Sequence, residues 1–152
     1  MTQEEIPKGF ARVVLLSITN KTKTLFYLQK KDETYPLPEG RLAYTFFGGH
    51  ILPDEDTDDA LKREISEELE ENISEMVLRN AKKIMVRSCN TPLLREFHLY
   101  EAAFSDKDLD YISRQRVNEG KGGFLIAREQ MNHIKIIPAI VPLVKEYLDS
   151  IK

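Results

Sequence analysis

Residues Gly49 to Glu68 read Gly-His-Ile-Leu-Pro-Asp-Glu-Asp-Thr-Asp-Asp-Ala-Leu-Lys-Arg-Glu-Ile-Ser-Glu-Glu. Asp56 or Thr57 can cap a helix running from there to about Glu71, and Asp58 and Asp59 sit in its electropositive first turn. Ala60 leaves the reciprocal capping box incomplete. At about 100° per residue, Leu61, Ile65 and Leu69 form one apolar stripe, and Glu64 and Glu68 fall about 60° and 20° to one side of Leu61. Glu67 lies a further step around, four positions after Arg63. Carboxylates at i, i+3 and i+4 repel one another by a few tenths of a kcal/mol per pair, and more beside a buried stripe. Relief comes from protonation or from a divalent cation. Mg²⁺ prefers oxygen ligands, keeps some of its waters and bridges phosphates, so the chemistry indicated is attack of water on a phosphoanhydride. The paired Gly48-Gly49 allows two roles: a tight turn at a strand exit, or a main-chain carbonyl at Gly49 that completes a metal shell.

Outside this stretch the sequence sets bounds. At 152 residues the chain is expected to form a single domain over 1–152, with a core that buries roughly two thirds of the unfolded surface. Hydrophobic residues at 41% and charged residues at 31% match a soluble globular protein. No apolar run approaches the ~20 residues of a membrane span, and Met1-Thr2-Gln3-Glu4-Glu5 lacks the features of a secretory signal. A cytoplasmic protein with no membrane partner is expected. Cys89 is the sole cysteine, which excludes an intrachain disulfide and a cysteine zinc cluster. His50, His98 and His133 are scattered and read as surface or supporting residues.

The net charge of -3 conceals an asymmetry. Asp54 to Glu71 holds ten acids against Lys62 and Arg63, a local -8 that leaves +5 for the rest. An acidic patch in a mildly basic body suits a cation that meets an anionic ligand, although a solvated acidic helix has the same composition. The small net charge and the lack of a basic stripe argue against a long nucleic-acid polymer as partner.

Apolar and β-branched residues over 10–17 predict a buried strand, and Thr24 to Lys30 its hairpin partner across Asn20-Lys21. Pro36, Pro38 and Gly40 break the pattern. Leu42 to Phe47 reads as a short strand ending at Gly48-Gly49. Lys83 to Arg87 and Arg95 to Phe104 read as strands separated by Asn90-Thr91-Pro92. Ser105 to Gly123 reads as a polar, mobile loop, Phe124 to Ala127 as a strand, and Ile137 to Ile151 as a closing helix. Strands, a helix, more strands and a final helix predict a mixed sheet with helices on its faces.

The quoted residues resemble the signature of the Nudix hydrolases, G-x5-E-x7-R-E-U-x-E-E-x-G-U, with U a bulky aliphatic residue. Gly49, Glu55, Arg63, Glu64, Ile65, Glu67 and Glu68 fall on it in register. The six fixed positions coincide by chance on the order of once in 10⁷ starts at ordinary residue frequencies. Glu70 and Glu71 replace the terminal glycine and aliphatic residue, which Asn72-Ile73 supply two positions late in a lengthened helix. Phe47 stands where many relatives have proline. The resemblance implies an α/β/α sandwich with a mixed central sheet and helices on both faces. It implies Mg²⁺ or Mn²⁺ held by Glu64, Glu67, Glu68 and Gly49, and an Arg63–Glu55 ion pair that orients the helix. The base that activates water is then Glu64, or an acid from a later loop, for which Glu119 is the candidate.

The activity so implied is metal-dependent cleavage of a phosphoanhydride in a nucleoside diphosphate linked to another moiety, nucleoside triphosphates included. Lys30, Lys31, Arg41, Arg87 and Arg95 are the cations that can reach phosphate, and Tyr35, Tyr44, Phe46 and Phe47 the rings that can stack on a base. Of these, Lys30, Arg41, Phe47 and Arg95 are the candidates for contact with a small nucleotide substrate. Two alternatives are a catalytically weak Nudix-like sensor that binds nucleotide without turnover, and an acidic helix that docks a basic protein. Exposed sheet edges in a small domain also leave a homodimer open.

Overall fold

Strand β1 (Ala11–Asn20) offers no polar face: every residue except half-buried Arg12 is buried. A strand apolar on both sides must be covered on both sides, and β1 is the centre of a seven-stranded mixed sheet with helices above and below. The computed structural model describes residues 11–90 and 94–151. Phe10, the Thr91-Pro92 break and the Met1 to Glu5 start lie outside them. β1 pairs antiparallel with β2 (Leu25–Lys30), placing Ile18 opposite Tyr27, and parallel with β6 (Leu94–Phe104) from Ala11–Arg95 to Asn20–Phe104. β3 (Tyr44–Thr45) and β7 (Gly123–Ala127) flank β2, β4 (Phe47–His50) pairs with β1, and β5 (Lys82–Asn90) pairs with β6. Among the described residues no helix is long and apolar enough to cross a membrane.

Alternation along β1 divides the core. Val14, Leu16 and Ile18 join Tyr27, Phe47 and Tyr100 beneath α1 (Thr57–Glu68), α2 (Glu71–Arg79) and α3 (Asp106–Ser113). Val13 and Leu15 join Phe26, Phe46, Phe97 and Leu99 beneath α4 (Val141–Ser150). The expected α/β/α sandwich is borne out. Tyr147 of α4 ties the second layer to the sheet: its hydroxyl accepts from Ser17 Oγ at 2.9 Å and donates to Glu101 Oε2 at 2.6 Å, with the ring fully buried. Tyr147→Phe leaves the Ser17 hydroxyl without its acceptor and Glu101 Oε2 without its donor, Glu101 keeping its ion pair with Lys23 at 2.8 Å, and a loss of about 1–3 kcal/mol in urea unfolding is expected.

Several boundaries differ from the sequence reading. The glycines do not end a strand; they lie inside β4, Gly48 opposite Leu15 and Gly49 opposite Val14. The carboxylate helix does not lengthen. Asp56 caps α1 by accepting from Asp59 N at 2.8 Å, and the helix stops at Glu68 because Leu69 turns extended and bridges to Val117. A separate helix, α2, follows, held by buried Ile73 and Val77. The Ser105 to Gly123 segment is not one loop. Ser105 caps α3 by accepting from Asp108 N at 3.1 Å, and Leu109 and Ile112 bury against the core. The closing helix begins at Val141, after a 3₁₀ turn over Pro138–Ile140.

Candidate active site

The glutamates of α1 meet the sheet at β4, where the absence of side chains is what admits them. A Cβ on Gly49 would lie 2.6 Å from the carboxyl carbon and Oε1 of Glu64 and 2.7 Å from its Oε2. The Glu64 carboxylate therefore rests directly on the strand backbone, in a space that alanine would fill. One residue earlier, Gly48 has φ +136°, and a Cβ there would lie 2.0 Å from the Val14 carbonyl oxygen. This frees the Gly48 N–H to donate to Glu68 Oε1 at 2.9 Å. Glu64 and Glu68 are wholly buried, whereas the Glu67 side chain is 36% exposed.

Arg63 locks this geometry. It grips Glu55 with both ends of its fork, Nε to Oε2 at 2.9 Å and Nη2 to Oε1 at 3.0 Å. The same guanidinium donates to Glu64 Oε1 at 3.0 Å and to the His50 carbonyl at 2.9 Å, and lies 3.6 Å from Glu67 Oε1. The Arg63 hydrogen bonds hold the Glu55 carboxyl below the usual carboxylate range, and Glu55 in turn keeps Arg63 more firmly protonated. Glu55 N-terminal to the helix, α1 itself and the end of β4 are thus tied together through one guanidinium.

The break at Leu69 brings in another acid. Asn118 N donates to the Glu68 carbonyl at 2.8 Å, so the segment after Val117 is pinned across the end of α1. Gly120, at φ +66°, passes so close to the Lys30 carbonyl that a Cβ would lie 2.4 Å from it, and Lys121 N donates to that carbonyl at 2.9 Å. Glu119 is held between these anchors. Burial first, and then the charges of Glu119 and Glu64 against the opposing charge of Lys31, push the Glu68 carboxyl well above the ordinary value. Three acids and one lysine thus share one field.

A cavity of about 780 Å³ opens beside them on the α4 face of the sheet. Val13, Leu15, Phe46 and Phe97 form its floor, Tyr35 and Ile137 belong to its wall, and Gly49, His50 and Glu119 carry it to the carboxylates. Lys31 and Arg95 line it too, while the three α1 glutamates stand just outside the lining. Lys31 Nζ lies 5.4 Å from the centre of the Tyr35 ring.

The site candidates are thus sorted. Glu55, Arg63, Glu64, Glu67, Glu68, Gly49 and Glu119 come together. Of the four candidates for substrate contact, Arg95 alone lines the cavity. Phe47 does not: wholly buried and stacked on Tyr27 at 5.4 Å, it belongs to the core under α1 and offers no face to a base. Lys30 directs its ammonium over the Tyr44 and Phe124 rings, at 5.2 Å and 5.8 Å, outside the cavity. Arg41 also stands outside and braces the Tyr35 loop, its Nε donating to the Tyr35 carbonyl at 2.8 Å. One participant was not anticipated. Gln29, wholly buried in β2, donates Nε2 to Glu68 Oε2 at 3.1 Å. Its signal was a polar side chain in the inward phase Leu25-Tyr27-Gln29.

No three of the described His, Cys, Asp and Glu side chains are gathered tightly enough to enclose a cation as they stand. The donor set nevertheless fits a hard divalent ion on its chemistry. It is all oxygen, it contains a carboxylate buried under like charges, and the Gly49 cradle leaves Glu64 unobstructed by any Cβ.

No protein-family model matches the chain, and no curated protein matches it at a significant level. Solved structures do. A MutT protein from Methanosarcina mazei Go1 is 16% identical with a TM-score of 0.68, covering 96% of this chain and 97% of that one. A Nudix hydrolase from M. smegmatis is 12% identical with a TM-score of 0.63, over 95% of this chain and 88% of that one. A mutT/nudix family protein from Listeria innocua is 16% identical with a TM-score of 0.63, over 97% and 96%. At these identities the likeness is one of architecture, and the chain has the Nudix fold.

Proposed function

We propose that the protein is a Nudix hydrolase, a metal-dependent pyrophosphohydrolase that cleaves a phosphoanhydride in a nucleoside diphosphate linked to another moiety. The observation that carries this reading is the α1 carboxylate set held against Gly49 by the Arg63–Glu55 fork, in register with the Nudix signature and in the Nudix fold. Glu64, Glu67 and Glu68 would hold Mg²⁺ or Mn²⁺. When bound, the ion supplies charge neutralisation at the phosphates and a lower pKa for water. Glu119, which borders both the cavity and Glu68, takes the proton from the attacking water; Glu64, the alternative base, is engaged by Arg63. Lys31 and Arg95, at the cavity wall, bind phosphate oxygens, and the apolar floor of Leu15, Phe46 and Phe97 takes the rest of the nucleotide while excluding water.

A panel of nucleoside triphosphates and substituted nucleoside diphosphates, incubated with Mg²⁺ or Mn²⁺, tests this directly. Release of phosphate, pyrophosphate or a mononucleotide is expected, abolished by a chelator and restored by excess Mn²⁺. Tight nucleotide binding with no metal-dependent release across the panel would replace the enzyme with the sensor. Arg63→Lys keeps the charge but cannot reproduce the fork. On the best substrate its kcat/KM should fall about 10²-fold, the scale of a small misplacement of catalytic groups, with far-UV circular dichroism unchanged.

A further inference from the structure

Gln29 is a polar side chain in a place that packing alone would give to leucine or methionine. The inward phase of β2 is Leu25, Tyr27 and Gln29, and the first two pack into the core under α1. The Gln29 backbone is pinned on both sides, with Thr45 of β3 opposite on one and Gly123 of β7 on the other, so its side chain departs from a rigid element. The residue is wholly buried. Its Nε2 donates to Glu68 Oε2 at 3.1 Å, while Gly48 N donates to Glu68 Oε1 at 2.9 Å. Each oxygen of that carboxylate therefore has one fixed donor, and together the two set its plane. The other end of the amide, Gln29 Oε1, is buried with no hydrogen-bond partner. A buried carbonyl left so is costly, and an apolar side chain of the same length would avoid the cost. The residue is explained by what it does to Glu68 and not by what it adds to the core.

We propose that Gln29 is a positioning residue for Glu68: it fixes the carboxylate in the orientation that binds the divalent cation, and its unpartnered carbonyl accepts a hydrogen bond from water at that site. This rests on the metal-dependent reading of the Glu64, Glu67 and Glu68 set. Groups that orient a ligand from behind typically govern metal affinity by about 10- to 100-fold when removed.

The test is Mn²⁺ binding to the substrate-free protein, followed by calorimetry or by the loss of the free-ion electron paramagnetic signal. Gln29→Met, matched in length and apolar, should bind Mn²⁺ about tenfold or more weakly, yet melt in the metal-free state close to the wild type, because loss of the unpartnered Gln29 carbonyl offsets loss of the donor to Glu68 Oε2. Leu28→Ala, a cavity in the core of the opposite face, should do the reverse: melt lower and keep its Mn²⁺ affinity. In a cycle with Glu68→Gln, the Gln29→Met change should cost no further affinity once Glu68 is gone. If Gln29→Met melts lower while its Mn²⁺ affinity equals that of the wild type, Gln29 is a structural residue and the inference fails alone. The same holds if the two substitutions are additive. If the wild type takes up no Mn²⁺, or Glu68→Gln leaves its affinity unchanged, the metal-dependent reading fails and this inference with it.

Discussion

Glu68→Gln should lower kcat about 10³-fold and, in the metal-free protein, raise thermal stability. Several kcal/mol of electrostatic stabilisation disappear when a carboxylate ligand becomes a neutral amide, and each 1.36 kcal/mol is tenfold in rate. The gain in stability has the same origin. Glu68 is wholly buried, and burial together with the Glu119 and Glu64 charges raises its proton affinity when folded. A carboxyl whose folded pKa exceeds its unfolded one binds its proton more tightly in the native state. Folding is therefore favoured below the ordinary value of 4.5, and that contribution is lost as pH rises from there through the raised value. Urea midpoints of the metal-free wild type should fall across that window, and those of Glu68→Gln should fall less. Saturating Mn²⁺ should flatten the wild-type slope, since the cation takes the place of the proton. A slope that is equal in wild type and Glu68→Gln would show that another group is titrating.

The paired glycines should separate chemistry from folding. Gly49→Ala places a methyl 2.6 Å from the Glu64 carboxylate. The obstructing atoms are the far end of a side chain, so the fold can yield by moving that carboxylate. A displacement of about 1 Å costs on the order of 10²-fold in rate, and Mn²⁺ affinity should fall with it while the melting temperature changes little. Gly48→Ala meets main chain instead. Its Cβ would lie 2.0 Å from the Val14 carbonyl oxygen, at φ +136°. Backbone strain of about 1–3 kcal/mol adds to overpacking of similar size, and neither neighbour can swing aside in the middle of the sheet. A urea series should show Gly48→Ala destabilised by about 3 kcal/mol or more, with Gly49→Ala close to wild type. Equal stability loss in both would mean that Glu64 is not free to move.

Much of the fold was legible because the hydrophobic period is a local quantity. The doubly apolar β1, the Thr24 to Lys30 partner strand and the Leu61-Ile65-Leu69 stripe each report their burial within a few residues. The segments misread are those whose conformation is set by distant partners. Glu70 and Glu71 are compatible with continued helix, and the helix stops at Glu68 because Leu69 pairs with Val117 and Asn118 takes the Glu68 carbonyl. α3 was hidden by its polarity, since only Leu109 and Ile112 face the core.

The carboxylate set was readable from spacing and the Arg63–Glu55 pair from the resemblance to the Nudix signature, because both lie within twenty residues on one helix and the turn before it. Substrate contacts were not. Lys30 and Lys31 are adjacent, yet one ammonium lies over Tyr44 and Phe124 and the other lines the cavity. Phe47 and Phe46 are adjacent, yet they pack into the two opposite cores. In a strand, one step in sequence exchanges the faces of the sheet, so composition cannot choose between neighbours.

By itself, then, the sequence determined which residues carry charge along α1, at what spacing, and that this helix must press one flank into a core. The tertiary structure alone decided that β4 passes beneath Glu64 with no Cβ to hold it off, that Gln29 reaches Glu68 from across the sheet, and that Glu119 arrives from 51 positions after Glu68. The physical reason is one of range: helix periodicity orders neighbours a few residues apart, whereas the distances among these groups are fixed by how β1, β2 and β4 pair and by where the chain is stopped at Leu69.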